Sequence, residues 1–407
     1  MSPSTDHADR NYVVISADTH AGASVNDYRQ YLDTKHQKLF DEWRGEYKNP
    51  QKKHIGSKKH KNWDDAERMG DMRSDGVVGE IVFPNTVPPF FKTSVLICGN
   101  PRPEDYDLRL EGIRAHNKWL SDWCSEYPDQ RAGIGLVYLN DIDEAIKDVE
   151  WIAKHDLRGG ILLPHVPDDC QGYIKPLYAP DYDRFWEVVQ ETGLVVNQHG
   201  GTGSPDYGRY AVSLPIRLVE TGFFSTRSFS QLILAGVFER FPKLKYIITE
   251  AGCAWAPETL RRLDWTWERI RGGAVGEFQF ASDAATPEPP SFYAKRNCWY
   301  GASSPSPMEI RDRDKIGVER ILWGSDYPHY EGTYPHTRLA YRHTFNDVDR
   351  NEVRMMLGSN AAELYGFDLD KLQSLADEFG PSPGEVGVPL QEEEFPKKAH
   401  TNAFRRV

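Results

Sequence analysis

The chain has 407 residues, of which 39% are hydrophobic and 12% aromatic, enough apolar material for a large folded core and too much for a disordered polymer. Its formal net charge of −12 argues against a nucleic-acid duplex or an anionic membrane as the main partner, since both reward a basic surface. The cysteines Cys98, Cys124, Cys170, Cys253 and Cys298 are scattered and never in CxxC spacing, which excludes a thiolate zinc framework and predicts a reducing, cytoplasmic setting.

The opening MSPSTDHADR is polar and no apolar run approaches about 18 residues, so neither a signal peptide nor a membrane-spanning helix is expected. The first apolar run, NYVVIS, stops on Asp18-Thr19-His20. Residues 27–75 follow, low in apolar residues around the basic stretch KNPQKKHIGSKKHKNWDD, and read as an insertion or lid. VVGEIVF and GIGLVYL supply two more strands. In DIDEAIKDVEWIAKH, Ile142, Ala145, Ile146, Val149 and Ile152 recur at helical spacing, and Asp141 with Glu144 forms a capping pair. RGGILLP is the fourth strand; DYDRFWEVVQETG is a helix opened by Asp181 or Asp183 and stopped by Gly193; GLVVNQ is the fifth strand. STRSFSQLILAGVFERFP leads into the sixth strand, LKYIIT, and Pro257 sits in the first turn of the helix PETLRRLDWTWERIR. NCWYG and RILWG complete the strands, SSPSPME reads as a loop, and residues 368–407 read as an extended arm of the kind that packs on a partner subunit or stays disordered.

Eight strand–helix units over roughly 350 residues predict a distorted (β/α)8 TIM barrel across residues 12–367. An open doubly wound sheet is the alternative, weakened because no Gly-rich dinucleotide fingerprint follows the first strand. In a barrel, the side chains that do chemistry come from the carboxyl ends of the strands. Those ends carry Asp18 and His20, then His165 (LLPH), His199 (VVNQHGG), Glu250 (IITEAG), and Asp326 with His329 (ILWGSDYPH). Residues two apart on an extended segment point the same way, which makes Asp18 and His20 a candidate chelate. Burying so many imidazoles and carboxylates costs several kcal/mol per group unless they are paired or bound to a cation, and a divalent ion compensates several at once. The glycines after His199 and Glu250 allow close backbone approach.

At this point the sequence resembles the amidohydrolase superfamily, in particular the amidohydrolase-related branch that includes the aminocarboxymuconate semialdehyde decarboxylase-like enzymes. The carrying motifs are ISADTH, DGVVGEIVFPN, VVNQHGG, LKYIITEAGCAWAP and RILWGSDYPHYEGTYP. The resemblance implies a barrel holding a divalent metal through a strand-one His-x-His pair, a strand-five His and a strand-eight Asp. By position those ligands are Asp18, His20, His199 and Asp326. The chain departs from the pattern twice: Asp18 stands in place of the first His, and Glu250 in place of a strand-six His, adding Glu250 to the expected ligands. A carboxylate-rich set makes manganese or iron more competitive with zinc. Strand four ends in Pro164-His165 and offers no lysine for carbamylation, so a second ion would rely on Glu250 with His165 or His329.

Three readings of function stand. The leading one is a metal-dependent hydrolase or decarboxylase acting on a small organic acid or amide, with Asp326 taking a proton from metal-activated water and His165 or His329 orienting substrate or acting as general acid. The second is a binuclear non-haem iron or manganese oxygenase working with a homologous partner subunit. The third is a non-catalytic supporting subunit of a hetero-oligomer. One or two ions of zinc, iron or manganese, a small-molecule substrate, and a homodimer or a hetero-oligomer with a homologous chain complete the expectations. The aromatic stretches TVPPFF and GFFSTRSF are expected pocket walls, and Arg209, Arg217 and Arg227 candidate carboxylate clamps.

Overall fold

A computed structural model of the chain describes residues 9–48, 59–164, 172–281 and 283–405. Eight parallel strands follow one another around a single sheet: β1 (Val14–Ala21), β2 (Val77–Pro84), β3 (Arg131–Leu136), β4 (Gly160–Leu162), β5 (Val195–His199), β6 (Lys245–Thr249), β7 (Cys298–Ser303) and β8 (Ile321–Gly324). The sheet closes where Asp326 donates its backbone N–H to Asp18 O at 2.9 Å and His20 donates to Tyr327 O at 2.7 Å. The expected (β/α)8 barrel is therefore the observed fold, and every predicted apolar run overlaps a barrel strand. Alternate residues explain why these runs are apolar throughout. Ile134, Leu162, Val195, Ile247 and Leu322 join one core, while their neighbours Ile161, Val196, Ile248 and Trp323 join another, packed with helical residues such as Trp186 and Phe229.

Helices connect the strands much as the periodicity predicts. Asp141 caps the helix Ile142–Lys154 by accepting from the backbone N–H groups of Asp143 and Glu144. The helix Asp183–Thr192 ends on Gly193 at φ 71°, although neither Asp181 nor Asp183 caps it with its side chain. Residues 27–75 differ from a simple solvated lid. They contain the helices α1 (Thr34–Glu46) and α2 (Asp65–Asp75), and bury Tyr28, Phe40, Lys61 and Arg68. Much of the basic stretch, residues 49–58, lies outside the described residues. The arm beyond residue 367 lies against its own barrel. It starts with a helix, Leu369–Phe379, that buries Leu372 and Ala376, and further on Arg342 donates to Val388 O and pairs with Glu394. None of the described helices is long and apolar enough to cross a membrane.

Candidate metal centre

The strand β1 carries one more residue than β2 between two of its pairs, Ser16 with Glu80 and Thr19 with Val82. Such a bulge re-aims the side chains that follow it. Ile15 and Ala17 face the inner core, yet Asp18 and His20 reach the centre, and Thr19 turns the other way to donate to Glu80 Oε2 at 2.8 Å. The carboxylate Asp18 sits close against β8 because position 324 is glycine; a Cβ there would lie 2.6 Å from that of Asp18. A Cβ on Gly200, after His199, would lie 2.5 Å from Glu250 O.

One donor atom from each of Asp18, His20, His199 and Glu250 lies within 4.8 Å of the others; the same holds for His20, Asp326 and His329, and for Glu250, Asp326 and Glu331. The predicted set from β1, β5, β6 and β8 therefore converges on one spot. Asp18 Oδ1 stands 3.3 Å from His20 Nε2 and 3.4 Å from His199 Nε2. His20 Nε2 is also 3.2 Å from Asp326 Oδ1, yet it has no hydrogen-bond partner among the described residues. A buried ring nitrogen aimed between two carboxylates without bonding either fits a ligand awaiting a cation. The donor chemistry, imidazole nitrogens and carboxylate oxygens with no thiolate, fits a divalent first-row metal.

The remaining polar atoms hold the donors in place. His199 directs Nδ1 to Gly200 O at 2.8 Å, which leaves Nε2 facing Asp18. Ser303 donates to Asp18 Oδ2. The imidazole of His329 directs Nδ1 to Asp326 Oδ1 at 2.7 Å and Nε2 to Asn85 Oδ1 at 3.2 Å. Asn85 in turn donates from Nδ2 to Asn62 Oδ1 at 2.7 Å, so its oxygen is the atom presented to His329. Glu250 and Asp326 both hold backbone φ angles near +60°, at 58° and 59°, a conformation that costs side-chain-bearing residues energy and clusters at functional sites.

Charge follows from this packing. Burial works against ionisation of Asp18, but the imidazoles of His199 and His20 beside it hold its carboxyl well below the usual range. Burial and the neighbouring charge of Asp326 push Glu250 up to about 8. Burial disfavours the charged form of His329, but the charge of Asp326 overcomes it and raises the ring to about 10. Both ring nitrogens of His329 face oxygens, Asp326 Oδ1 and Asn85 Oδ1, the arrangement that suits a ring donating twice.

His165 lies outside the described residues. The residues Glu331, Asn85 and Ser303 were missed in the sequence. Glu331 and Asn85 sit inside motifs that drew notice, YPHYEGTYP and EIVFPN, while Ser303 falls where SSPSPME reads as a loop. A pocket at the ends of β3 to β5 is lined by Ile97, Cys98, Tyr138, Leu163 and Thr202 among others. Of the aromatic stretches expected as pocket walls, Val87 and Phe91 are packed into the core, and Phe223 is exposed on the surface.

A family model described as Amidohydrolase matches residues 102–367, more than half of the chain, and the chain belongs to that family. Solved structures share the fold. An amidohydrolase from Mycobacterium avium subsp. paratuberculosis is 20% identical, with TM-score 0.65, covering 88% of this chain and 100% of that one. A 5-carboxyvanillate decarboxylase from Novosphingobium aromaticivorans, complexed with manganese and 4-hydroxy-3-methoxy-5-nitrobenzoic acid, is 19% identical, with TM-score 0.64 and coverage of 87% and 96%. A dihydroxybenzoic acid decarboxylase from Polaromonas, with bound manganese and the inhibitor 2-nitroresorcinol, is 17% identical, with TM-score 0.62 and coverage of 87% and 97%.

Proposed function

We propose that the protein is a divalent-metal-dependent decarboxylase or hydrolase of a small organic acid or amide, with decarboxylation the leading reaction. The observation that carries this reading is His20 Nε2, buried and unbonded among the described residues between the carboxylates of Asp18 and Asp326. Asp18, His20, His199, Glu250 and Asp326 would hold the cation, which would supply Lewis acidity toward a substrate oxygen and acidify a bound water. Asp326 keeps a carboxylate that accepts a proton from water in a hydrolysis. His329 holds its proton at Nδ1 against Asp326 and offers Nε2–H, now on Asn85, as donor or orienting group. In a decarboxylation the carbon–carboxylate bond breaks, its electron pair stays on carbon, and that proton replaces the departing carbon dioxide. The decarboxylases of like fold support this order of preference, and their manganese agrees with the carboxylate-rich donor set.

A second reading rests on the third cluster. With Glu331, the carboxylates Glu250 and Asp326 offer room for a second cation, as a binuclear oxygenase working with a homologous subunit would need. Metal content measured after purification without added metal, followed by assays of carbon dioxide release from a panel of hydroxybenzoic acids with and without oxygen, separates the readings. Oxygen-independent release with manganese or zinc bound supports the first. Two irons and oxygen consumption support the second. A metal-free chain without turnover leaves only a supporting subunit. Residues 12–367 are read as the catalytic unit and 368–407 as its arm.

A further inference from the structure

The seam where the barrel closes joins the strand that carries Asp18 and His20 to the segment that carries Asp326. Main-chain bonding across it is short. Asp326 N–H meets Asp18 O, His20 N–H meets Tyr327 O, and Ser325 N–H meets Ser16 Oγ at 2.9 Å, whereas β1 and β2 pair from Val14 to Ala21. Two proposed donors nevertheless face each other across this seam at 3.2 Å, His20 Nε2 and Asp326 Oδ1. Metal–donor bonds of about 2.0–2.2 Å tolerate departures of only about 0.2 Å, so the seam has to be held as closely as the donors themselves.

The helix α2, from the segment expected as a lid, supplies the brace. Arg68 is fully buried there: Nη1 donates to His20 O at 2.8 Å and to Lys61 O at 3.3 Å, and Nε donates to Glu80 at 3.1 Å. Its guanidinium also lies 5.0 Å from the centre of the ring of Tyr327, the residue after Asp326, close enough for cation–π attraction. Three residues on, where side chains share a helix face, Asp71 accepts from Tyr327 Oη at 2.8 Å. One helix therefore grips β1 at the carbonyl of one proposed donor and the chain beyond β8 beside another.

Charge balance alone does not explain the reach of Arg68. Glu80 also accepts from Arg131 Nε at 3.2 Å and from Thr19 Oγ1 at 2.8 Å, so that carboxylate has partners without any bond from Arg68 to His20. We propose that Arg68 is a positioning residue of the metal centre. Its planar fork holds the His20 carbonyl while its charge rests against the Tyr327 ring, and together these set the separation of the His20 and Asp326 donors. The inference rests on the reading of those two side chains as metal ligands. A lysine at this position keeps a positive charge for Glu80, but a single ammonium on a flexible stem does not reproduce the fork.

The test uses the full chain, stripped of metal with a chelator and titrated with manganese chloride by isothermal titration calorimetry, with the electron paramagnetic resonance spectrum of the bound ion recorded alongside. Arg68→Lys is expected to weaken manganese binding by about 10- to 100-fold and to alter the spectrum. Asp65→Asn removes the partner of Arg131 in the same buried group of charges without touching β1, and is expected to leave affinity and spectrum as in wild type. Should Arg68→Lys lose its native circular dichroism, the double variant Arg68→Met with Glu80→Gln removes one charge of each sign and carries the same expectation. Wild-type affinity and spectrum in a folded Arg68 variant overturn the proposal. So does an equal loss in Asp65→Asn, which would trace the effect to the buried charges at large. A wild-type chain that takes up no manganese, zinc or iron overturns the ligand reading itself, and this inference with it.

Discussion

Two groups of buried charge lie against β1, and they are satisfied in opposite ways. Around Glu80 every charge has its counterpart. Arg68 Nε donates to both Glu80 oxygens at 3.1 Å, Arg131 Nε donates at 3.2 Å and also pairs with Asp65, and Arg68 Nη1 reaches His20 O at 2.8 Å. Around Asp18 the same strand gathers carboxylates and imidazoles in excess of their mutual bonds, leaving His20 Nε2 without a partner among the described residues. The first group holds the chain together with its own charges. The second is held together by its surroundings and leaves a place for a cation that the chain does not supply.

Substitutions can break this contrast. The largest effect is expected at the centre itself: Asp18→Ala and His199→Ala should each abolish stoichiometric binding of a divalent metal, measured by elemental analysis. Full occupancy in either variant would sink the ligand assignment. Glu80→Ala leaves two guanidinium groups buried without their anion and should cost about 3–5 kcal/mol of folding stability in urea titrations. A loss under about 1 kcal/mol would mean that water already shares those charges. Asn85→Ala removes the acceptor that fixes His329 and should lower turnover by about 10- to 100-fold with metal content retained; unchanged turnover would leave His329 without need of its support.

The smallest effect lies outside both groups. His116 is buried with Nδ1 2.8 Å from Tyr28 Oη, and burial pushes its pKa from the ordinary 6.5 down to about 3. Between those values the unfolded chain binds a proton that the folded chain refuses, so this group's contribution to stability is lost as pH falls. By pH 5.5 wild type should lose about 1.4 kcal/mol relative to His116→Asn, which has no proton to take up. Parallel stability–pH curves for the two proteins would refute this.

Much of the architecture was legible because each barrel strand is an apolar run that ends on a polar residue, a local signal. The proposed donors His199, Glu250 and Asp326 each follow such a run and were legible for the same reason. The end of β1 was not: pairing with Val82, Phe83 and Tyr327 carries the strand through Asp18, Thr19 and His20 to Ala21, where the sequence suggests a stop. Nor was Arg68, whose polar helix reads as solvated until its guanidinium is seen under β1. Asn85 and Glu331 were hidden because their roles depend on partners 244 residues away in the first case and on folding beside Glu250 in the second. Burial of a charge against a distant partner leaves no periodicity to read.

The bulge in β1 means that the centre depends on counting as well as on spelling. Deleting Thr19 would leave every proposed ligand in the chain. It would also make Asp18 and His20 immediate neighbours, which on an extended strand point to opposite faces, so one of the two would swing away from the centre. Such a shortened chain is expected to bind metal no better than one that has lost a donor, so the smallest frameshift in the strand is as disabling as a substituted ligand.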